Sequence, residues 1–154
     1  MKKTYIYLDD VRIPLDKDTW TIVRDYDEFV GTVTLIGLEN IEAISLDHDL
    51  GDSAMSEYYY NAQPNYTIDY SNITERTGYD CCKWLVNHSI ETGKPIPEVV
   101  IHSANPIGAG NMIGYINNYL KNSKLPQTCR QVEIPHTYEQ PTTLTERLRK
   151  YARK

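Results

Sequence analysis

Short apolar runs alternate with stretches of helical spacing along this chain. Thr4 to Leu8 (TYIYL) is rich in β-branched and aromatic residues and stops abruptly at Asp9-Asp10, which predicts a buried strand with acids at its tip. Trp20 to Val23 predicts a second strand, and residues 27–38 a helix capped by Asp27. Glu42 to Leu46 (EAISL) predicts a third strand, again ending in acid at Asp47-His48-Asp49. Gly78 to Ile90 has Cys81, Trp84, Leu85 and His88 spaced for one helical face, with Gly93 and Pro95 as stop signals. Glu98 to Ile101 (EVVI) predicts a fourth strand that runs into His102-Ser103-Ala104-Asn105. Asn111 to Lys121 predicts an amphipathic helix with Met112, Ile113, Ile116, Tyr119 and Leu120 inward. Arg130 to Ile134 predicts a fifth strand, and Thr143 to Lys154 a basic terminal helix with Leu144 and Leu148 inward.

Strands and helices thus alternate through the chain, which predicts a five-stranded parallel sheet with helices on both faces. Residues 51–77 break the alternation. They are polar, hold five tyrosines and keep neither period for long, so they read as a functional excursion or mobile loop after strand three. Their rings could stack on a base, close as a lid, pack locally or meet another subunit of a homo-oligomer.

With 154 residues, the chain suits one domain with one core. A net charge of -5 argues against broad nucleic-acid binding, which needs a basic surface, but leaves room for a small nucleotide in a local pocket. No apolar run approaches the roughly 18 residues of a membrane span. Met1-Lys2-Lys3 leads straight into a strand, unlike a signal peptide. The cysteines (Cys81, Cys82, Cys129) are sparse and lack ligand spacing, so reduced thiols in a cytoplasmic protein are expected.

Ligands of open parallel sheets bind beyond the carboxyl ends of the strands. Asp9, Asp10 and Asp47 converge there if the first and third strands are neighbours. Carboxylates so close repel unless a cation sits between them, and hard oxygen donors favour Mg²⁺ or Mn²⁺. The bland alternative is helix caps and solvated charges. His48 and His102 follow the third and fourth strands, where two imidazoles across a phosphodiester could act as acid and base. His136 follows the fifth strand and could look the same way; His88 reads as an ordinary helix-face side chain. Ser103 and Asn105 offer a hydroxyl and an amide to an anion. Arg12 could clamp a phosphate or pair with Asp9 or Asp10. Gly108-Ala109-Gly110 reads as a turn into a helix N-terminus, a place that can bind phosphate through backbone N–H groups, although no Walker loop is present.

The order of Asp9-Asp10, Asp47 and Ser103 resembles the receiver domains of response regulators. In that family the acid pair binds Mg²⁺, the third-strand aspartate accepts a phosphoryl group, and the fourth-strand hydroxyl contacts it. Receivers carry a lysine before a proline after strand five, where this chain has Ile134-Pro135. The segments LDDVRIP (8–14), ISLDHDLG (44–51), TGYDCCKWL (77–85) and IHSANPIGAGNM (101–112) are more specifically similar to the cyclic-phosphate processing receiver domain. That resemblance implies a flavodoxin-like, receiver-like domain over 1–154 whose pocket handles cyclic phosphates, with added histidines matching His48 and His102.

The expected function is metal-assisted phosphoesterase chemistry on a cyclic phosphate or cyclic nucleotide. Asp9, Asp10 and Asp47 would hold a divalent ion, His48 and His102 would move protons, and Arg12, Ser103 and Asn105 would orient phosphate oxygens. The alternatives are a module that captures such a ligand without cleaving it, a receiver phosphorylated at Asp47, and a dehalogenase-like phosphatase using Asp47 and Asp49.

Overall fold

The computed structural model describes residues 2–138. Strands β1 (Thr4–Leu8), β3 (Trp20–Val23), β4 (Ile41–Leu46), β5 (Glu98–Ile101) and β6 (Arg130–Gln131) form one sheet in the order β3-β1-β4-β5-β6. Every pairing in it is parallel. Chain direction across the sheet reverses at β1, so the crevice between β1 and β4 is the switch point where such sheets take their ligands.

The period of two decides what each strand buries. Ile6 and Leu8, Ile44 and Leu46, and Val99 and Ile101 share one face. They join Phe29 and Val33 of α1 (Tyr26–Ile36), Cys81, Cys82 and Leu85 of α4 (Gly78–Thr92), and Met112 and Ile116 of α5 (Pro106–Asn122) in one buried cluster. Each of the larger side chains contributes roughly 1.5–3 kcal/mol by leaving water. The three cysteines are buried and free, as expected of thiols serving as small core residues. Among the described residues no helix is long and apolar enough to cross a membrane.

The expected elements shift at their ends. Helix α1 starts earlier because Asp25, not Asp27, accepts from Glu28 N–H at 2.8 Å. Helix α4 is opened by a reciprocal capping box between Thr77 and Asp80 and closed by Gly93 at φ 71°. His88 stacks on Trp84 at 4.5 Å, as its helix-face position suggests. Helix α5 begins at Pro106, with Asn105 as its cap, so Gly108-Ala109-Gly110 lies inside the helix and is not a turn before it. The expected fifth strand shrinks to β6, extended only by Val132 N–H donating to Ile101 O at 2.8 Å.

Two features went unforeseen. The stretch 51–77 is substantially helical: α2 (Asp52–Glu57), a π-helical turn (Tyr58–Ala62), α3 (Gln63–Asn65) and a 3₁₀ turn (Tyr70–Asn72). In addition, β2 (Arg12–Pro14) pairs antiparallel with β7 (His136–Tyr138), tying the loop after β1 to the far end of the described chain. The helix expected over residues 143–154 lies outside the described residues.

Candidate functional site

The parallel ladder runs one residue past each strand. Asp9 N–H donates to Val23 O at 3.1 Å, Asp47 N–H to Leu8 O at 3.0 Å, and His102 N–H to Leu46 O at 3.0 Å. Since Leu8, Leu46 and Ile101 are in register, Asp9, Asp47 and His102 are fixed side by side at the end of the sheet.

Asp9 is fully buried. One carboxylate oxygen accepts from Val11 N–H (3.0 Å) and Arg12 N–H (2.8 Å); the other accepts from Arg12 Nε (2.7 Å) and His102 Nε2 (3.0 Å). Four donors fill its acceptor capacity. Burial would raise its pKa, but the His102 hydrogen bond and the Arg12 charge outweigh that and hold it at about 2. Arg12 also approaches Asp47 Oδ1 at 3.3 Å. Asp47 itself is pushed well up, first by burial and then by the charge of Asp9.

Both histidines have both ring nitrogens engaged. His102 lies stacked on Tyr7 at 4.3 Å, with Nδ1 2.6 Å from Ser45 Oγ and Nε2 on Asp9. Burial lowers its pKa despite the Asp9 hydrogen bond, which favours the neutral ring. Nε2–H then donates to Asp9 and Nδ1 accepts from the Ser45 hydroxyl. The set Ser45, His102 and Asp9 has the composition of a nucleophile triad, but Ser45 is fully buried and no substrate can reach it. His48 is fully buried too. Its Nδ1 pairs with Asp49 Oδ1 at 2.6 Å and its Nε2 with the Tyr70 hydroxyl at 2.9 Å; that hydroxyl also accepts from Asn111 Nδ2 at 3.1 Å. The structure therefore separates the histidines, one behind Asp9 and one behind Asp49.

A cavity of about 260 Å³ opens above these groups. Asp10, Arg12, Asp47, Asp49, Ser103 and Asn105 line it from the strand ends. Met55, Tyr58, Tyr59 and Tyr138 line it from α2, the π-turn and β7. Ser103 Oγ accepts from Asn105 N–H at 3.1 Å, and Asn105 Nδ2 donates to Asp49 at 3.2 Å, so α5's cap also steadies the cavity's acids. Asp49, which the sequence offered only as the partner of Asp47 in a dehalogenase-like alternative, lines the cavity with the other acids. Its signal was present in the same LDHD motif, two residues beyond Asp47. A second cavity, of about 650 Å³, shares Arg12, Ser103 and Ala104 and is walled by His102, Gln131 to Pro135 and His136.

Oxygens of Asp9, Asp10 and Asp47 lie within 4.8 Å of one another, close enough to hold one ion. An all-carboxylate set fits a hard divalent cation. Only Asp10 and Asp47 of the three face the cavity, because Asp9 is turned inward to Arg12 and His102.

No curated protein and no solved structure matches the chain. The family model of the cyclic-phosphate processing receiver domain matches residues 4–118, which takes in every acid, imidazole and amide at the strand ends from Asp9 to Asn105. With three-quarters of its length under that match and the receiver strand order in its sheet, the chain belongs to the cyclic-phosphate processing receiver domains.

Proposed function

We propose that this domain hydrolyses a cyclic phosphodiester at the 260 Å³ cavity, with a divalent cation assisting. The observation that carries the reading is the cavity's lining, in which anion-binding groups (Arg12, Ser103, Asn105) and acids (Asp10, Asp47, Asp49) face one space. Asp10 and Asp47 would hold the Mg²⁺ or Mn²⁺, whose charge would offset the crowding of carboxylates and polarise the phosphate. Asp9, the third acid of that set, also anchors Arg12. Arg12 and the Ser103 hydroxyl meet the phosphoryl oxygens. Asp49 takes the proton of the attacking water, a new P–O bond forms, one ring P–O bond breaks, and the released alkoxide is protonated from solvent.

The histidines take a different part from the one their positions suggest in sequence. His48 orients Asp49, and His102 orients Asp9, so both are positioning residues in this mechanism. The test is a turnover screen of 2′,3′-cyclic, 3′,5′-cyclic and cyclic oligonucleotide substrates with Mg²⁺, Mn²⁺ or EDTA. Metal-dependent hydrolysis abolished by Asp49→Asn and Asp47→Ala is expected. Full activity in Asp49→Asn would remove it as the base.

A second reading is capture without cleavage. It is favoured by the burial of both imidazoles with no ring nitrogen left for proton transfer. Saturable binding with no product in the same screen would select it.

A further inference from the structure

Cyclic-phosphate chemistry uses the acid side of the cavity and leaves its opposite wall without a role. That wall is aromatic: Tyr58 and Tyr59 from the π-turn, Tyr138 from β7, with Met55 beside them. The other tyrosines near it have structural roles. Tyr70 holds His48 and stacks on Tyr79 at 5.2 Å, and Tyr79 meets Tyr115 edge-on at 5.7 Å. Tyr60 and Tyr66 stand in solvent, 69% and 81% exposed. Tyr59 and Tyr138 differ from both groups, because they line a cavity and still keep 48% and 45% of their surface open.

The backbone puts two consecutive rings on this wall. In a regular α-helix neighbouring side chains diverge by about 100°. Here the turn at Tyr58–Ala62 is π-helical, a rare form that recurs at functional sites. Tyr58 and Tyr59 pack edge to face at 5.3 Å and both reach the cavity. Tyr138 lies directly across from Arg12 in the β2–β7 register, so an aromatic face sits one strand away from the guanidinium that meets the phosphate.

Resting on the cyclic-phosphate reading above, we propose that the substrate is a nucleoside cyclic phosphate with a single base, which stacks against Tyr58 and Tyr59 with Tyr138 at its edge. The cavity's volume, just below the roughly 300–1,000 Å³ of common ligand sites, suits one nucleoside unit. The neighbouring cavity has no Tyr, Trp or Phe in its wall, so a second base finds no equivalent tyrosine wall there. No side-chain amide or carboxylate accompanies the rings on the aromatic wall, so recognition is by the flat face common to all bases.

The experiment is titration calorimetry with Ca²⁺ present, comparing 2′,3′-cyclic AMP with base-free ribose 2′,3′-cyclic phosphate. Proteins are the wild type, Tyr58→Ala, Tyr59→Ala and Tyr59→Phe. The nucleotide is expected to bind at least tenfold tighter. That ratio should fall about 5- to 150-fold in Tyr59→Ala and be kept in Tyr59→Phe, since stacking is worth about 1–3 kcal/mol per base. A wild-type ratio near one, or a ratio unmoved by both alanine variants, would overturn the proposal while leaving the cyclic-phosphate reading intact. Binding of neither ligand would defeat that reading and this proposal with it.

Discussion

Two glycines hold the acid loop in place from either side. A Cβ at Gly78 would stand 1.9 Å from the Asp47 carbonyl oxygen, and one at Gly108 would stand 2.4 Å from the His48 ring. Residues 47–49 are thus wedged between the first turns of α4 and α5, which explains glycines inside two helices better than chain flexibility does. Gly108→Ala should lower stability by about 1–3 kcal/mol despite alanine's better helix propensity, because the buried ring cannot retreat; thermal melting checks it. Arg12→Ala should cost about 3–5 kcal/mol, since it leaves the Asp9 and Asp47 carboxylates buried without their counter-charge. Arg12→Lys should restore little, as one ammonium cannot span both. Sequence reading found most of these residues but not their directions. Position after a strand identifies a chemical group, while the rotamers of His48 and His102 depend on Asp49, Tyr70, Ser45 and Asp9, partners that only the folded chain brings near.

At the level of elements, stretch 51–77 owes its order to two hydrogen-bonded acids, the buried Glu57 and the half-buried Glu75, rather than to an apolar stripe. Glu57 accepts from Asn61 Nδ2 (2.5 Å), Asp69 N–H (2.8 Å) and Asn72 Nδ2 (2.9 Å), and Glu75 binds Ser53 Oγ and Ala54 N–H. Burial would raise the Glu57 pKa, but these hydrogen bonds outweigh it and lower the pKa from 4.5. A carboxyl lowered on folding stabilises the fold above its unfolded value and stops doing so as pH falls through its folded one. Hydrogen exchange across residues 54–72 should therefore quicken as pH drops below about 4.5, after correction for intrinsic rates. Glu57→Gln should begin loosened and lose that dependence. Such hydrogen bonds leave no periodic trace, which is why the helices here went unread. The start of α5 was legible, since Asn105-Pro106 is a cap followed by proline at the first helical position, but three small residues after it read more naturally as a turn.

For the whole molecule, the parallel order of the strands was written in alternating runs of β-branched residues and helical periods. The β2–β7 pair was not, because three-residue strands more than a hundred positions apart carry no local signal. The sheet gathers its acids at one end, and the folded chain carries that concentration of charge as a cost. Asp47→Asn should accordingly raise the melting temperature in EDTA by a few degrees, roughly 2–4 °C per kcal/mol at this size. Millimolar Mg²⁺ should raise the wild-type melting temperature and leave that variant nearly unmoved, by mass action on the folded state. Equal shifts in both would place the ion elsewhere. The pairing of Arg12 with Tyr138 also sets how the domain can be divided. A fragment ending at residue 118 would keep every motif at the strand tips but lose β6, β7 and Tyr138, one of the three rings of the cavity's aromatic wall. The shortest piece of this polypeptide that keeps the full described lining of the cavity runs through Tyr138. Transplanting the motif region alone into another protein should therefore carry over the acids without the grip.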